Sequence, residues 1–256
     1  MTARAARVAP PVVGTIIVLG GVWWYTATSG SIYVRSLPTM LTDFWNTWFF
    51  ADFNSDLLPS VEHVVIGLAI AIVLGVALGV SFGLLRTLRL MAQPVVAFLR
   101  SIPVPALVAP ALIAFGIGGA TRIGIIAFAC LWPILLNTMD GVGELHPTVT
   151  ETARAYRIGG ARRLFFVTLP AVGPRIASAC RISVVIALLA MVITETVAAS
   201  NGIGFLLVST VNNFEIDTMW ACIVAIGLLG ILLNAGLSIV ERTQLRWYSE
   251  SQKGAE

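Results

Sequence analysis

Charge is what this chain has least of. Only 11% of its 256 residues are Asp, Glu, Lys or Arg, against about a quarter in soluble domains. Too few polar side chains remain to cover a water-facing surface, which excludes an ordinary soluble globule. Lysine is represented by Lys253 alone, and the net charge of +3 is carried by arginines set between apolar runs. A nucleic-acid footprint needs cations clustered on a folded face, so that class is excluded too. Cysteine and histidine are equally sparse. Cys130, Cys180 and Cys222 fall one each in separate apolar runs, at no metal-ligand or redox spacing, and read as small buried hydrophobes. His63 and His146 lack a metal-binding partner three or four residues away, so no metal site is expected. No GxxxxGK[ST] phosphate loop occurs, which removes that device for holding ATP.

What the chain does have is apolar length. Hydrophobic residues make up 57% of it, in windows at roughly 11–28, 61–85, 92–116, 122–139, 174–199 and 219–240. Each is long enough to cross a hydrocarbon core of about 30 Å. The reading is an all-α membrane protein of about six transmembrane helices, the first retained rather than cleaved as a leader. The third window carries Arg100, Pro103, Pro105 and Pro110 and should be bent. With the N-terminus inside, twelve Arg and Lys residues fall in inner segments and only Arg35 and Arg122 outside. The positive-inside rule then puts both termini in the cytoplasm.

Three regions follow: an N-terminal helix with an external interfacial segment over 1–57, a core over 58–247, and a cytoplasmic tail over 248–256. The aromatic-rich stretch 29–60 reads either as an amphipathic segment at headgroup level or as a loop packed on the helices. In the second window Gly67, Ala71, Gly75, Gly79 and Gly83 recur every four residues, one stripe along which another helix backbone can approach closely. Gly79-Val80-Ser81-Phe82-Gly83 also matches a nucleophile elbow. It lies inside an apolar helix without assembled His and acid partners, so an intramembrane protease has no catalytic set.

Function becomes legible in the inner loop 140–173. Thr150-Glu151-Thr152-Ala153-Arg154-Ala155-Tyr156-Arg157 favours a short helix capped by Thr148 or Thr150 and stopped by Gly159-Gly160. A second short helix through Arg162–Val167 would end near Pro170. This loop resembles the coupling loop of permeases of binding-protein-dependent ABC importers. Glu151-Thr152-Ala153 stands for that family's Glu-Ala-Ala triplet, and Leu169-Pro170 closes the loop nineteen residues after Glu151. The family's loop glycine is replaced by Arg157, with the glycines two and three residues later, so the helix should run about half a turn long. The nitrate, sulfonate and taurine branch is matched further at Leu99-Arg100-Ser101-Ile102-Pro103, Phe115-Gly116-Ile117-Gly118, Pro133 to Thr138, Ser200-Asn201-Gly202-Ile203-Gly204, Glu241-Arg242 and Arg246-Trp247.

The resemblance covers most of 58–247 and implies a type I ABC importer permease fold in a bacterial inner membrane. It implies a dimer of ATPase subunits holding ATP and Mg, with no cofactor in this chain. It further implies a second permease copy or paralogue, a periplasmic or lipoprotein-tethered binding protein, and a small, plausibly anionic solute. Glu151, Thr152, Ala153, Arg154, Ala155, Tyr156, Arg157, Gly159 and Gly160 are the ATPase-coupling candidates, with Glu151, Ala153, Arg154 and Arg157 as contact residues. Thr194, Glu195, Asn137 and Pro103 are candidates for the translocation path or gate. Glu195 either lines that path or serves structure, pairing with a neighbouring helix or capping the Ser200–Gly204 turn. A stand-alone secondary carrier or channel is the alternative, and it would function without an ATPase.

Overall fold

The computed structural model describes residues 36–48 and 52–244, together with isolated positions between Gly14 and Thr28. The first apolar window and the tail at 248–256 therefore lie essentially outside the described residues. Every regular element among those described is helical: α1 (Leu37–Asn46), α2 (Leu58–Leu84), α3 (Arg86–Arg100), α4 (Val104–Phe115) and α5 (Gly119–Gly143), followed by α6 (Pro147–Ala155), α7 (Gly160–Arg163), α8 (Leu169–Ala198), α9 (Ile203–Asn212) and α10 (Ile216–Gln244). Four helical stretches are long and apolar enough to span a membrane, and a bent pair raises the number to five. The sixth span of the sequence reading is the N-terminal one.

The chain divides into two compact units, residues 1–53 with 206–225 and residues 54–205 with 226–256. In the first unit α1 begins behind Ser36 with Pro38 in its first turn, where a missing N–H costs nothing. Its face is split: Leu41 and Trp45 are exposed while Met40 is buried. Just beyond α1, Trp48 is also buried, its indole N–H donating to the Ala221 carbonyl at 3.1 Å. This unit thus combines an exposed apolar face with an anchored aromatic, parts of both readings of the 29–60 stretch.

The second unit is built on the pairing of α2 with α5. A Cβ added at Gly67, Gly75, Gly79 or Gly83 would fall 2.6–2.8 Å from a side-chain carbon of Ile126, Ile134, Thr138 or Val142 respectively. Each partner advances in step with its glycine, so the two helices run parallel and in register. By the same register Ala71 falls opposite Cys130, both fully buried. The backbones close to a distance that only glycine permits, which is how helices gain packing where lipid offers no hydrophobic drive.

Two expectations change here. The 92–116 window is not one bent helix but two, α3 and α4, meeting at 92°. Pro103 disfavours helical backbone at Ile102 and lacks a donor, so the helix stops at Ser101 and restarts behind Pro103, with Pro105 in the first turn of α4 where a missing N–H costs nothing. The second loop helix does not end near Pro170. A π-helical turn over Leu164–Thr168 joins α7 to α8, giving one helical stretch from Gly160 to Val197. The wider turn shifts the hydrogen-bond register immediately before the proline, so its missing N–H does not end the helix.

Candidate functional site

The polar loop between α5 and the helical stretch that begins at Gly160 folds as a single short helix, α6. Its N-cap is His146, not Thr148 or Thr150: the imidazole Nδ1 accepts from the Thr148 N–H at 3.3 Å, and Pro147 fills the first position. Its end comes earlier than the glycines suggest. Tyr156 is the C-cap, the Arg157 N–H donates to the Arg154 carbonyl at 2.9 Å, and the Ile158 N–H donates to the Ala153 carbonyl at 2.8 Å. These two bonds form a Schellman motif, whose next residue must be left-handed. Arg157 takes that conformation with φ +53. Arg157 thus ends the helix with its own backbone, and the expected extra half turn does not form. Gly159 and Gly160 shape the following turn instead, Gly160 at φ +57.

Ala153 is only 3% exposed and packs inward, which takes it off the contact surface expected from the sequence. Glu151, Thr152, Arg154, Ala155, Tyr156 and Arg157 are all exposed, Tyr156 at 76%. Behind this surface the helix is tied down. Arg163 donates to the Thr150 hydroxyl at 3.3 Å, and Arg175 pairs with Glu144 at 2.5 Å. The segments on either side of α6 enter a cluster of Val80, Val142 and Val172 with Leu145, Leu164 and Leu169. The half-exposed Arg175–Glu144 pair adds at most about 1 kcal/mol, and the apolar cluster holds the two spans that flank α6 together.

The second candidate, Glu195, stands at the other end of the α8 stretch and is fully buried. Ser60 lies 2.8 and 2.9 Å from its two oxygens and donates to them, and the Gly204 N–H donates to Oε2 at 2.9 Å. The neighbouring orphan donors of the α9 N-terminus are also filled. Ile203 N–H reaches Ser60 Oγ at 2.9 Å, and Gly202 N–H reaches Asp56 Oδ1 at 2.7 Å. Two carboxylates and a hydroxyl thus satisfy three successive amides, with the helix dipole favouring both charges. Gly202 has φ +116, and a Cβ there would fall 2.5 Å from the Glu195 carboxyl carbon. A Cβ at Gly204 would strike the Val192 carbonyl at 2.8 Å. His63 Nδ1 stands 3.7 Å from Glu195 Oε1, too far for a hydrogen bond. Arg122, 7% exposed, holds Asn201 of the same turn through its carbonyl at 3.3 Å and its side-chain oxygen at 3.2 Å.

The remaining path candidates are dispersed. Thr194 is buried and donates to its own helix at Met191. Asn137 donates to the Pro133 carbonyl one turn back at 2.8 Å. Pro103 stands at the break between α3 and α4. Arg181 pairs with Glu241 of α10, consistent with its distance from Glu195. Reading the sequence alone missed Asp56, Ser60 and Arg122 as partners of the 200–204 turn. The available signal was two glycines placed shortly after a carboxylate in an apolar helix.

Comparison with known proteins places these features. Residues 67–246 match the family described as binding-protein-dependent transport system inner membrane component. A putative aliphatic sulfonates transport permease protein of Escherichia coli is 31% identical over 244 residues, covering 94% of this chain and 92% of that one. A taurine transport system permease protein of the same organism is 29% identical, covering 94% and 90%. A bicarbonate transport system permease protein of Synechococcus elongatus is 31% identical, covering 74% and 68%.

Proposed function

The chain belongs to the family of binding-protein-dependent transport inner-membrane components, and from that premise we propose that it carries a small anion across the bacterial inner membrane. It acts as the permease subunit of an ABC importer. The supporting observation for the solute class is that relatives named for aliphatic sulfonates, taurine and bicarbonate all take small acids. The chain itself performs no hydrolysis. ATP and Mg belong to a partner pair of ATPase subunits, and a binding protein delivers the solute to this chain and a second permease copy or paralogue.

The observation that carries the coupling role is α6: a short, capped, polar helix with an exposed face, tied by Arg163 at Thr150 and set between two apolar spans. In our reading it lies in the cytoplasm with both termini, supported by the excess of arginine in the segments on that side. Glu151, Thr152, Arg154, Ala155, Tyr156 and Arg157 meet the ATPase. Ala153 supports them from inside, and Gly159-Gly160 turns the chain back. Closure of the ATPase pair would move α6 as a unit, because its cap, its Schellman end and the Arg163 bond make it stiff. Glu195 and Thr194 serve as the anchor of α9 rather than as lining, since Glu195's hydrogen bonds are internal. Pro103 marks the break through which the path is gated, and Asn137 lies on the α5 wall.

The test is reconstitution with the cognate ATPase and binding protein. Intact chain should bring down a nucleotide-binding subunit. Glu151→Lys should lower ATP-dependent uptake at least tenfold while the chain remains in the membrane. Purification without any such subunit, together with unchanged uptake by Glu151→Lys, would refute the proposal.

A further inference from the structure

Helix α3 carries a polar stripe that neither the α6 surface nor the Glu195 cradle uses. At about 100° per residue, Arg89, Gln93 and Arg100 fall within an arc of roughly 40°. The opposite face holds Met91, Val95 and Phe98, all exposed, as befits contact with lipid. The polar stripe borders a cavity of about 300 Å³ lined by Phe82, Arg89, Gln93, Arg100, Leu136 and Asp140 among others.

Charge in this cavity is unevenly matched. Arg89 is neutralised by Asp140 at 2.7 Å. Arg100 has no carboxylate partner among the described residues. It sits one residue before Ser101, where α3 ends at the 92° break. A cation at membrane depth is costly and is found facing a water-filled cavity or a counter-ion. The site therefore has one surplus positive charge, a neighbouring amide, and apolar walls.

We propose that this cavity is a transit site for a singly charged oxyanion, sulfonate or carboxylate in type. Arg100 supplies the charge, Gln93 a hydrogen bond, and Phe82 and Leu136 the wall against a short carbon chain. A guanidinium suits the planar edge of such a group, since it donates two parallel hydrogen bonds. The assignment rests on the permease reading above, and it names the residues that would make that permease prefer anions.

The test needs neither transport nor a known substrate. In membrane vesicles bearing the whole transporter, Gln93→Cys is labelled with 2-sulfonatoethyl methanethiosulfonate, itself an alkyl sulfonate, and with its trimethylammonium counterpart. Chain with Gln93 intact gives the background from the native cysteines. Focusing of the field in the cavity should favour the sulfonate reagent by about tenfold or more. Adding Arg100→Gln should abolish that preference, and Arg100→Lys should keep it. Equal rates with and without Arg100 overturn the proposal, and so does failure of both reagents to label, which would mean lipid or a second permease copy fills the cavity. Uptake measured on vesicles bearing the unsubstituted chain reports separately on the permease reading, so the two can fail independently.

Discussion

Replacing Gly79 with alanine adds one methyl group at one of the two tightest points between α2 and α5. Its carbon would fall 2.6 Å from Thr138 Cβ and 2.7 Å from the Leu135 carbonyl oxygen. Carbon atoms rest at about 3.5–4.0 Å, so the two helices must part locally by roughly 1 Å. Neither obstacle can move aside. One is backbone, and the other is the Cβ itself of a branched side chain, which no rotation displaces. Overpacking of this kind costs about 1–3 kcal/mol. Taken from the middle of that range, and with alanine's better helix propensity returning up to about 1 kcal/mol, the net loss is about 1–2 kcal/mol. Gly227 in α10 is the internal control, since a Cβ there meets nothing within 4 Å. Gly227→Ala should therefore be neutral or slightly stabilising. Thermal unfolding of the detergent-solubilised chain, followed by tryptophan fluorescence, reads both. Gly79→Ala should melt about 2–6 °C below the parent on the usual size scaling. A Gly75→Ala, Gly79→Ala pair should cost less than the two single losses added, because the gap is already open. If Gly79→Ala melts at or above Gly227→Ala, the close approach of these helices is refuted.

Three further outcomes follow from particular atoms. Arg157→Gly relieves a left-handed arginine and should stabilise the end of α6 by about 1 kcal/mol, read as roughly fivefold slower hydrogen exchange at the Ile158 amide. Gly202→Ala meets both an unfavourable φ and the Glu195 carboxyl group, and should lose about 2–4 kcal/mol in the same melting assay. Ser60→Ala leaves Glu195 Oε1 without its hydrogen-bond donor and the Ile203 N–H without its acceptor. It should cost about 1–3 kcal/mol, and a melting temperature within 1 °C or so of the parent would refute that role.

The features readable from the sequence are those whose signal is local and periodic. The spans of α2, α5 and α10 announce themselves by uninterrupted apolar length, and the contacts of Gly67, Gly75, Gly79 and Gly83 lie on their four-residue spacing. The ends of α6 were not readable. A histidine cap looks like any loop histidine, and an arginine in the left-handed region carries none of the composition that marks a glycine stop. Pro170 gives a stop signal that the π turn before it cancels, and that turn depends on packing rather than on residue type. The Glu195 cradle was hidden for a different reason. Ser60 and Asp56 lie more than 130 residues away along the chain, and nothing at either position points to the other. Arg122, read only as a marker of topology, is also a buried donor to Asn201.

The uninterrupted run from Gly160 to Val197 is 38 residues long, or roughly 55 Å of stiff rod at 1.5 Å per residue. One tip starts in the loop that follows the exposed face of α6, and Glu195 near the other tip is fastened to α2 and to the head of α9. Such a rod converts a small rotation into matched, opposite displacements at its two ends. A tilt of about 5° about its midpoint shifts each tip by roughly 2 Å on that length. That is comparable to the margin of a hydrogen bond, so a rod tilting as one piece would carry motion of the loop end to the carboxylate end without any chain of intervening side-chain rearrangements. The π turn and Pro174 are the two places where the rod can flex, and both lie close to its loop end.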